Sequence, residues 1–169
     1  MVDRGDDRLN IRNARPEELA KVSAVIRDAY LQYESSIPAA RWNEYLKNIT
    51  DVRSRWGLAD LIVAENGDKP VGTVTLYLDG SQEGWPTGWA GVRILAVHPA
   101  HRGMGTGRAL MEECLRRSRG HGIRRVGLHT TQVMEVAKRM YERMGFERIQ
   151  EFDFHPSPGV VVMAYCLEP

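Results

Sequence analysis

The sequence is poor in cysteine: of 169 residues only two, Cys114 and Cys166, carry a thiol. They form no C-x-x-C pair, which excludes a zinc ribbon or a thioredoxin-like motif and leaves no framework for disulfides. Charge of one sign is missing as well. Lys plus Arg is 23 against 22 for Asp plus Glu, a formal net charge of +1. No whole-molecule field would draw the protein onto nucleic acid or an anionic membrane, and neither is expected as a partner. No run approaches the ~18 apolar residues that span a bilayer, and the polar stretch Met1 to Asn10 has no apolar core of an export signal. The expected location is therefore cytoplasmic. What is present, 43% hydrophobic and 27% charged residues, is ordinary for a globular chain, and this length can bury roughly 70% of its unfolded surface without staples. With no linker, repeat or low-complexity tract, residues 1–169 read as one domain, with residues 1–8 as a charged, flexible tail.

Hydrophobic spacing gives the elements. Leu9 and Ile11 alternate with polar residues as in a strand, and Arg15-Pro16-Glu17-Glu18 opens a helix. Leu19, Val22, Ile26, Tyr30 and Tyr33 share one face of that helix, which is expected to run to about Glu34. A second helix is expected around Trp42 to Ile49. Leu61 to Ala64 and Val71 to Leu78 read as a hairpin whose Asn66-Gly67 pair supplies the positive φ values of the turn. A glycine-rich loop with Trp85 and Trp89 leads to a strand at Val92 to Val97. A helix at Thr106 to Gly120, a strand at Arg125 to Thr131 and a helix striped with Val133, Val136, Ala137, Met140, Tyr141 and Met144 follow. Phe146 to Phe154 and Val160 to Leu167 read as strands around Pro156-Ser157-Pro158-Gly159.

The segment with chemical content is Leu95 to Arg108, a strand, a short loop and a helix start. Gly103, Gly105 and Gly107 let successive main-chain N–H groups turn toward one point, where the helix adds its positive dipole end. A pyrophosphate suits such a point. The spacing fits neither G-x-x-x-x-G-K-[ST] nor G-x-G-x-x-G.

This loop resembles the acyl-CoA loop of the GNAT superfamily, whose R/Q-x-x-G-x-G/A pattern is met by Arg102, Gly105 and Gly107. The flanks match too: Val97 and Pro99 before the loop, and Ala137, Tyr141, Gly145 and Phe146 in an A-x-x-x-Y-x-x-x-G-F run after it. The resemblance implies an α/β fold with a mixed, mostly antiparallel central sheet, helices on both faces and a splayed parallel strand pair at the acyl-CoA site. It implies acetyl-CoA as co-substrate. Leu95, Ala96 and Val97 would bond its pantetheine arm through the main chain, residues 102 to 108 (Arg102, Gly103, Met104, Gly105, Thr106, Gly107, Arg108) would cradle the diphosphate, and Met134 and Tyr141 would adjoin it. An amine acceptor would meet Tyr30, Tyr33 and Glu34, with Trp42 and Tyr45 as further aromatic faces and Glu44 and Asp153 as further partners for its charge. Pairing through late strands is frequent in the family, so a homodimer is compatible with the resemblance.

Amine attack on a thioester poses two proton problems. A lysine-type amine is neutral in only about one molecule in 10³ at pH 7, and the departing thiolate must regain a proton. Tyr141 stands at the family's tyrosine position and would supply the second proton. Many relatives carry a base glutamate on the strand before the loop, and here that position is Gly91. Relatives that acetylate protein amino termini place a glutamate where this chain has His129, whose imidazole is a suitable base near neutrality. Water remains the other candidate for that role. Met134 also departs from the family, which frequently has asparagine there. With no carboxylate or thiolate at ligand spacing, His98 and His101 read as loop residues and no metal is expected. Neither cysteine lies in the matched loop or beside Tyr141, so direct attack in a ternary complex is favoured over an acyl-enzyme. The competing reading is a non-catalytic acyl-CoA sensor or regulatory module, which the missing glutamate at Gly91 permits.

Overall fold

The computed structural model of the protein describes residues 9–169, so the expected tail at residues 1–8 lies outside it. Its strands are β1 (Asn10–Asn13), β2 (Asp60–Asn66), β3 (Lys69–Tyr77), β4 (Trp89–Val97), β5 (Arg125–Thr130), β6 (Glu147–Arg148), β7 (Phe154–Ser157) and β8 (Val160–Leu167). Its α-helices are α1 (Leu19–Tyr30), α2 (Ala39–Thr50), α3 (Val52–Arg55), α4 (Thr106–Gly120) and α5 (Glu135–Arg143). Strands hydrogen-bond in the order β1-β2-β3-β4-β5-β8-β6, with β7 on β8. β4 and β5 run parallel, whereas β1 on β2 and β5, β6 and β7 on β8 are antiparallel. This is the mixed, mostly antiparallel sheet that the sequence implied.

The chain divides into two compact units, one running to Thr75 and resuming at Ile94–Glu113, the other comprising Leu76–Arg93 and Cys114–Pro169. In the first, Leu19, Val22, Ile26 and Tyr30 of α1 are buried as their spacing requires, and α1 packs on α2 and α3. Each such aliphatic side chain contributes about 1.5–3 kcal/mol on burial. The helix ends at Tyr30, and a 3-10 turn over Leu31–Ser36 continues it, leaving Tyr33 half-buried. Arg12 on β1 bonds the carboxylates of Glu18 and Glu65, each at 2.6 Å, while Glu18 also accepts from the Arg15 N–H at 2.9 Å and so closes the first helical turn. The β2–β3 turn differs from expectation. Only Gly67, at φ 59°, has a positive φ, so the two central residues are Gly67 and Asp68 and Asn66 completes the strand. Glycine at the first central position is what a type II′ hairpin needs.

In the second unit β4 begins at Trp89, earlier than the expected Val92, because Trp89 to Val92 pair in register with Arg125 to Leu128 of β5. α5 buries Tyr141 and leaves Val136 82% exposed, so Val133 and Val136 do not belong to its inner face. The expected strand Phe146 to Phe154 is broken: β6 keeps only Glu147 and Arg148, and a 3-10 turn over Gln150–Phe152 intervenes. An ion pair explains the break. Arg148 bonds both carboxylate oxygens of Asp153, which also accepts from the Ala164 N–H at 2.9 Å, and this draws the chain out of the ladder.

Candidate active site

The first unit contributes the loop. Gly103 and Gly105 take φ values of 73° and 81°, which side-chain-bearing residues rarely adopt, and the space where their Cβ atoms would lie is open. The first intrahelical bond of α4 is donated by Ala109 to the Gly105 carbonyl at 2.9 Å. The N–H groups of Thr106, Gly107 and Arg108 are therefore the unsatisfied donors of a helix start, and among the described residues no main-chain carbonyl accepts from residues 103–108. Exposed donors at a positive dipole end, with open space over two glycines, fit a diphosphate. The fit concerns the main chain, since the side chains point to other tasks. Arg102 donates to the Ala29 carbonyl at 2.9 Å and caps α1, Arg108 pairs with Glu112 at 2.8 Å, and Met104 is exposed.

Next to the loop, β4 carries Ile94 at φ 55°, the one non-glycine residue with positive φ among those described. For a β-branched side chain this stores about 1–3 kcal/mol. Ala96 is buried and Leu95 and Val97 are half-buried. The Tyr30 hydroxyl donates to the Leu95 carbonyl at 3.4 Å, which puts Tyr30 on the strand backbone, and its ring meets Tyr33 edge-on at 5.6 Å. Burial raises the Tyr33 phenol above its ordinary value, opposed by the charge of Arg102. Glu34 is exposed. His98 accepts from the Ala100 N–H and lies 3.6 Å from Asp28. Among the described residues no group of three His, Cys, Asp or Glu side chains gathers as a metal site would require.

The second unit holds His129, Met134 and Tyr141. Tyr141 is buried on α5, its ring edge-on to Phe146 at 5.8 Å, and Met134 caps the start of that helix with its main chain. His129, on β5, is enclosed by aromatic rings. Trp85 stacks on it at 4.6 Å and an interplanar angle of 23°, and Phe154 meets it edge-on at 5.1 Å. Its Nε2 lies 3.0 Å from the Phe152 carbonyl, an acceptor only, so Nε2 carries the proton and donates it. That tautomer leaves the Nδ1 lone pair as the basic position. Burial pushes the imidazole below its ordinary value, against smaller opposing effects of the Phe152 carbonyl, Asp153 and Glu83, so the ring is neutral at pH 7. Asp153 is taken up by Arg148, which holds its carboxyl below the usual range, and so is not a free partner for an amine.

Sequence reasoning missed the seat of Trp85. Gly91 and Gly127 are register partners on β4 and β5, and a Cβ on either would meet the indole at 2.9 Å and 2.6 Å respectively. The indole lies flat over both. The space above Gly91, where many relatives place a glutamate, is thus filled by Trp85. Gly127 inside a predicted strand was the available signal, since such a position marks close approach of another group, whereas Gly91 fell in the loop expected before β4.

Comparison with known proteins agrees with this fold. The Acetyltransferase (GNAT) family profile matches residues 23–146. A GNAT family acetyltransferase from Brucella melitensis, solved with acetyl-CoA, is 24% identical at a TM-score of 0.64, over 96% of this chain and 89% of that one. The PaiA N-acetyltransferase of Thermoplasma acidophilum, solved with coenzyme A, is 17% identical at a TM-score of 0.73, over 93% and 98%. A ribosomal-protein-alanine N-acetyltransferase from Brucella melitensis is 20% identical at 0.67, over 95% and 100%. At these identities the likeness is one of fold. A search of curated proteins gave no match.

Proposed function

Since the chain belongs to the GNAT acetyltransferase family, we propose that it transfers acetyl from acetyl-CoA to a primary amine, the whole of residues 1–169 acting as one N-acetyltransferase domain. The observation that carries this reading is the set of main-chain N–H groups at residues 103–108, turned outward by Gly103 and Gly105 and left without main-chain acceptors. Acetyl-CoA supplies the activated thioester, and the loop with Leu95, Ala96, Val97, Met134 and Tyr141 is the proposed binding set. His129 accepts a proton at Nδ1 from the attacking amine, and Tyr141 returns one to the thiolate. The amide C–N bond forms, the C–S bond breaks, and the products are an acetamide and free coenzyme A. Burial helps His129 in this role, because a base must be unprotonated at working pH. Tyr30, Tyr33 and Glu34 remain the proposed acceptor contacts, and the acceptor class spans small amines, amino-acid derivatives and protein amino groups.

The test is coenzyme A release, followed by a thiol reagent, across a panel of amines. Release above the hydrolysis background identifies an enzyme. Saturable acetyl-CoA binding without release across the panel identifies a sensor instead, and absence of binding at millimolar ligand removes both.

A further inference from the structure

We propose that Trp85 is the positioning residue of the site: seated on the Gly91–Gly127 pair, its indole clamps the His129 ring so that Nε2 stays on the Phe152 carbonyl and Nδ1 stays open to an acceptor amine. The proposal rests on the reading of His129 as base, and deepens it. The geometry is specific. Gly91 and Gly127 face each other across parallel strands, and the pyrrole edge of the indole covers Gly91 while the fused rings cover Gly127. His129 lies two residues beyond Gly127 on β5, hence on the same face of the strand. The indole, 4% exposed, also meets Trp89, stacked at 5.8 Å and 12°, and Phe152, tilted at 5.5 Å. Trp89 is in turn capped by the Arg125 guanidinium at 5.3 Å. The ring that sits on His129 therefore has little freedom to move, and neither has the imidazole.

The charged groups around this stack divide into two pairs. Glu83 meets Arg93 at 3.7 Å, and Asp153 is bound by Arg148. Both carboxylates and the indole face favour the imidazolium, while enclosure disfavours it, and enclosure is the larger effect. Trp85 supplies much of that enclosure. Removing it should let water reach the imidazole and let its pKa rise toward the ordinary value near 6.5.

The experiment is a histidine-selective NMR titration of the free protein, which reads tautomer and protonation of His129 without reference to turnover, made on the native chain, Trp85→Phe and Trp85→Ala. The expected native result is a single Nε2–H tautomer and a midpoint below 6.5. Trp85→Ala should move the midpoint upward and mix the tautomers, with Trp85→Phe between. A native ring of mixed tautomer overturns the proposal even if neither variant folds, and so does an unchanged titration in a folded Trp85→Ala. Turnover then separates the two claims. If His129 is the base, the acidic limb of the kcat/KM profile follows the NMR midpoint of the free protein, and kcat falls about tenfold or more in Trp85→Ala with the KM for acetyl-CoA unchanged. A shifted titration with an unshifted limb leaves Trp85 holding the ring but removes His129 from the chemistry.

Discussion

At the scale of single residues, His129 couples the site to pH through stability as well as chemistry. Its folded-state pKa lies below the unfolded value near 6.5, so the unfolded chain binds more protons in the interval between them. The stabilising contribution is complete above about pH 6.5 and is lost as pH falls through the folded value. Denaturant unfolding at a series of pH values should show this acid-side decline, and His129→Gln should flatten the part of it that begins near 6.5. A variant with the same slope as the native chain would assign the decline to carboxylates. Tyr141 answers to a different measurement. Tyr141→Phe keeps the ring against Phe146 and removes only the hydroxyl, so kcat should fall by about 10² while acetyl-CoA affinity by titration calorimetry stays within twofold. Undiminished turnover would leave the thiolate to be protonated by water.

At the scale of elements, legibility followed the range of the interactions involved. Helices α1, α2 and α4 and the strands β1, β2, β3, β5 and β8 were readable because period and terminator residues are local signals. The glycine loop was readable because its chemistry is main-chain and its spacing is written in consecutive residues. What escaped was set by partners distant in sequence. Arg148 and Asp153 break a stretch whose alternation suggested one strand, and β4 starts early because β5 pairs with it. Trp85 over Gly91 and Gly127 joins three segments, and a glycine in a strand marks a close approach without telling which ring makes it. The Arg12 bridge is of the same kind, linking β1 to β2 and to the first turn before α1. Arg12 holds Glu65 down to about 2, so its share of stability is present above the ordinary carboxylate value and lost as pH falls from about 4.5 toward 2. Arg12→Ala leaves two largely buried carboxylates facing each other, which should cost about 3 kcal/mol in urea unfolding at pH 7. A cost under 1 kcal/mol would show that water replaces the guanidinium there.

At the scale of the whole molecule, the near-zero net charge makes ligand affinity a matter of local donors instead of a general field. The loop amides at residues 103–108 offer directed hydrogen bonds that salt screens only weakly at contact distance, whereas a diffuse basic surface would lose its hold steeply with ionic strength. Acetyl-CoA at 100 times its dissociation constant should stabilise the fold by ~2.7 kcal/mol, which for a chain of this length corresponds to a rise in Tm of roughly 5–10 °C. At a fixed acetyl-CoA concentration the dissociation constant should change by less than about tenfold between roughly 50 mM and 200 mM salt, so the shift should keep at least about half of its size. Gly105→Ala tests the origin of the effect. The substitution meets open space in the free protein but imposes a side chain at φ 81°, so it should reduce the ligand-induced shift more than it lowers the starting Tm. A ligand shift that survives Gly105→Ala intact but collapses with salt would move the anion site from the loop backbone to surface arginines.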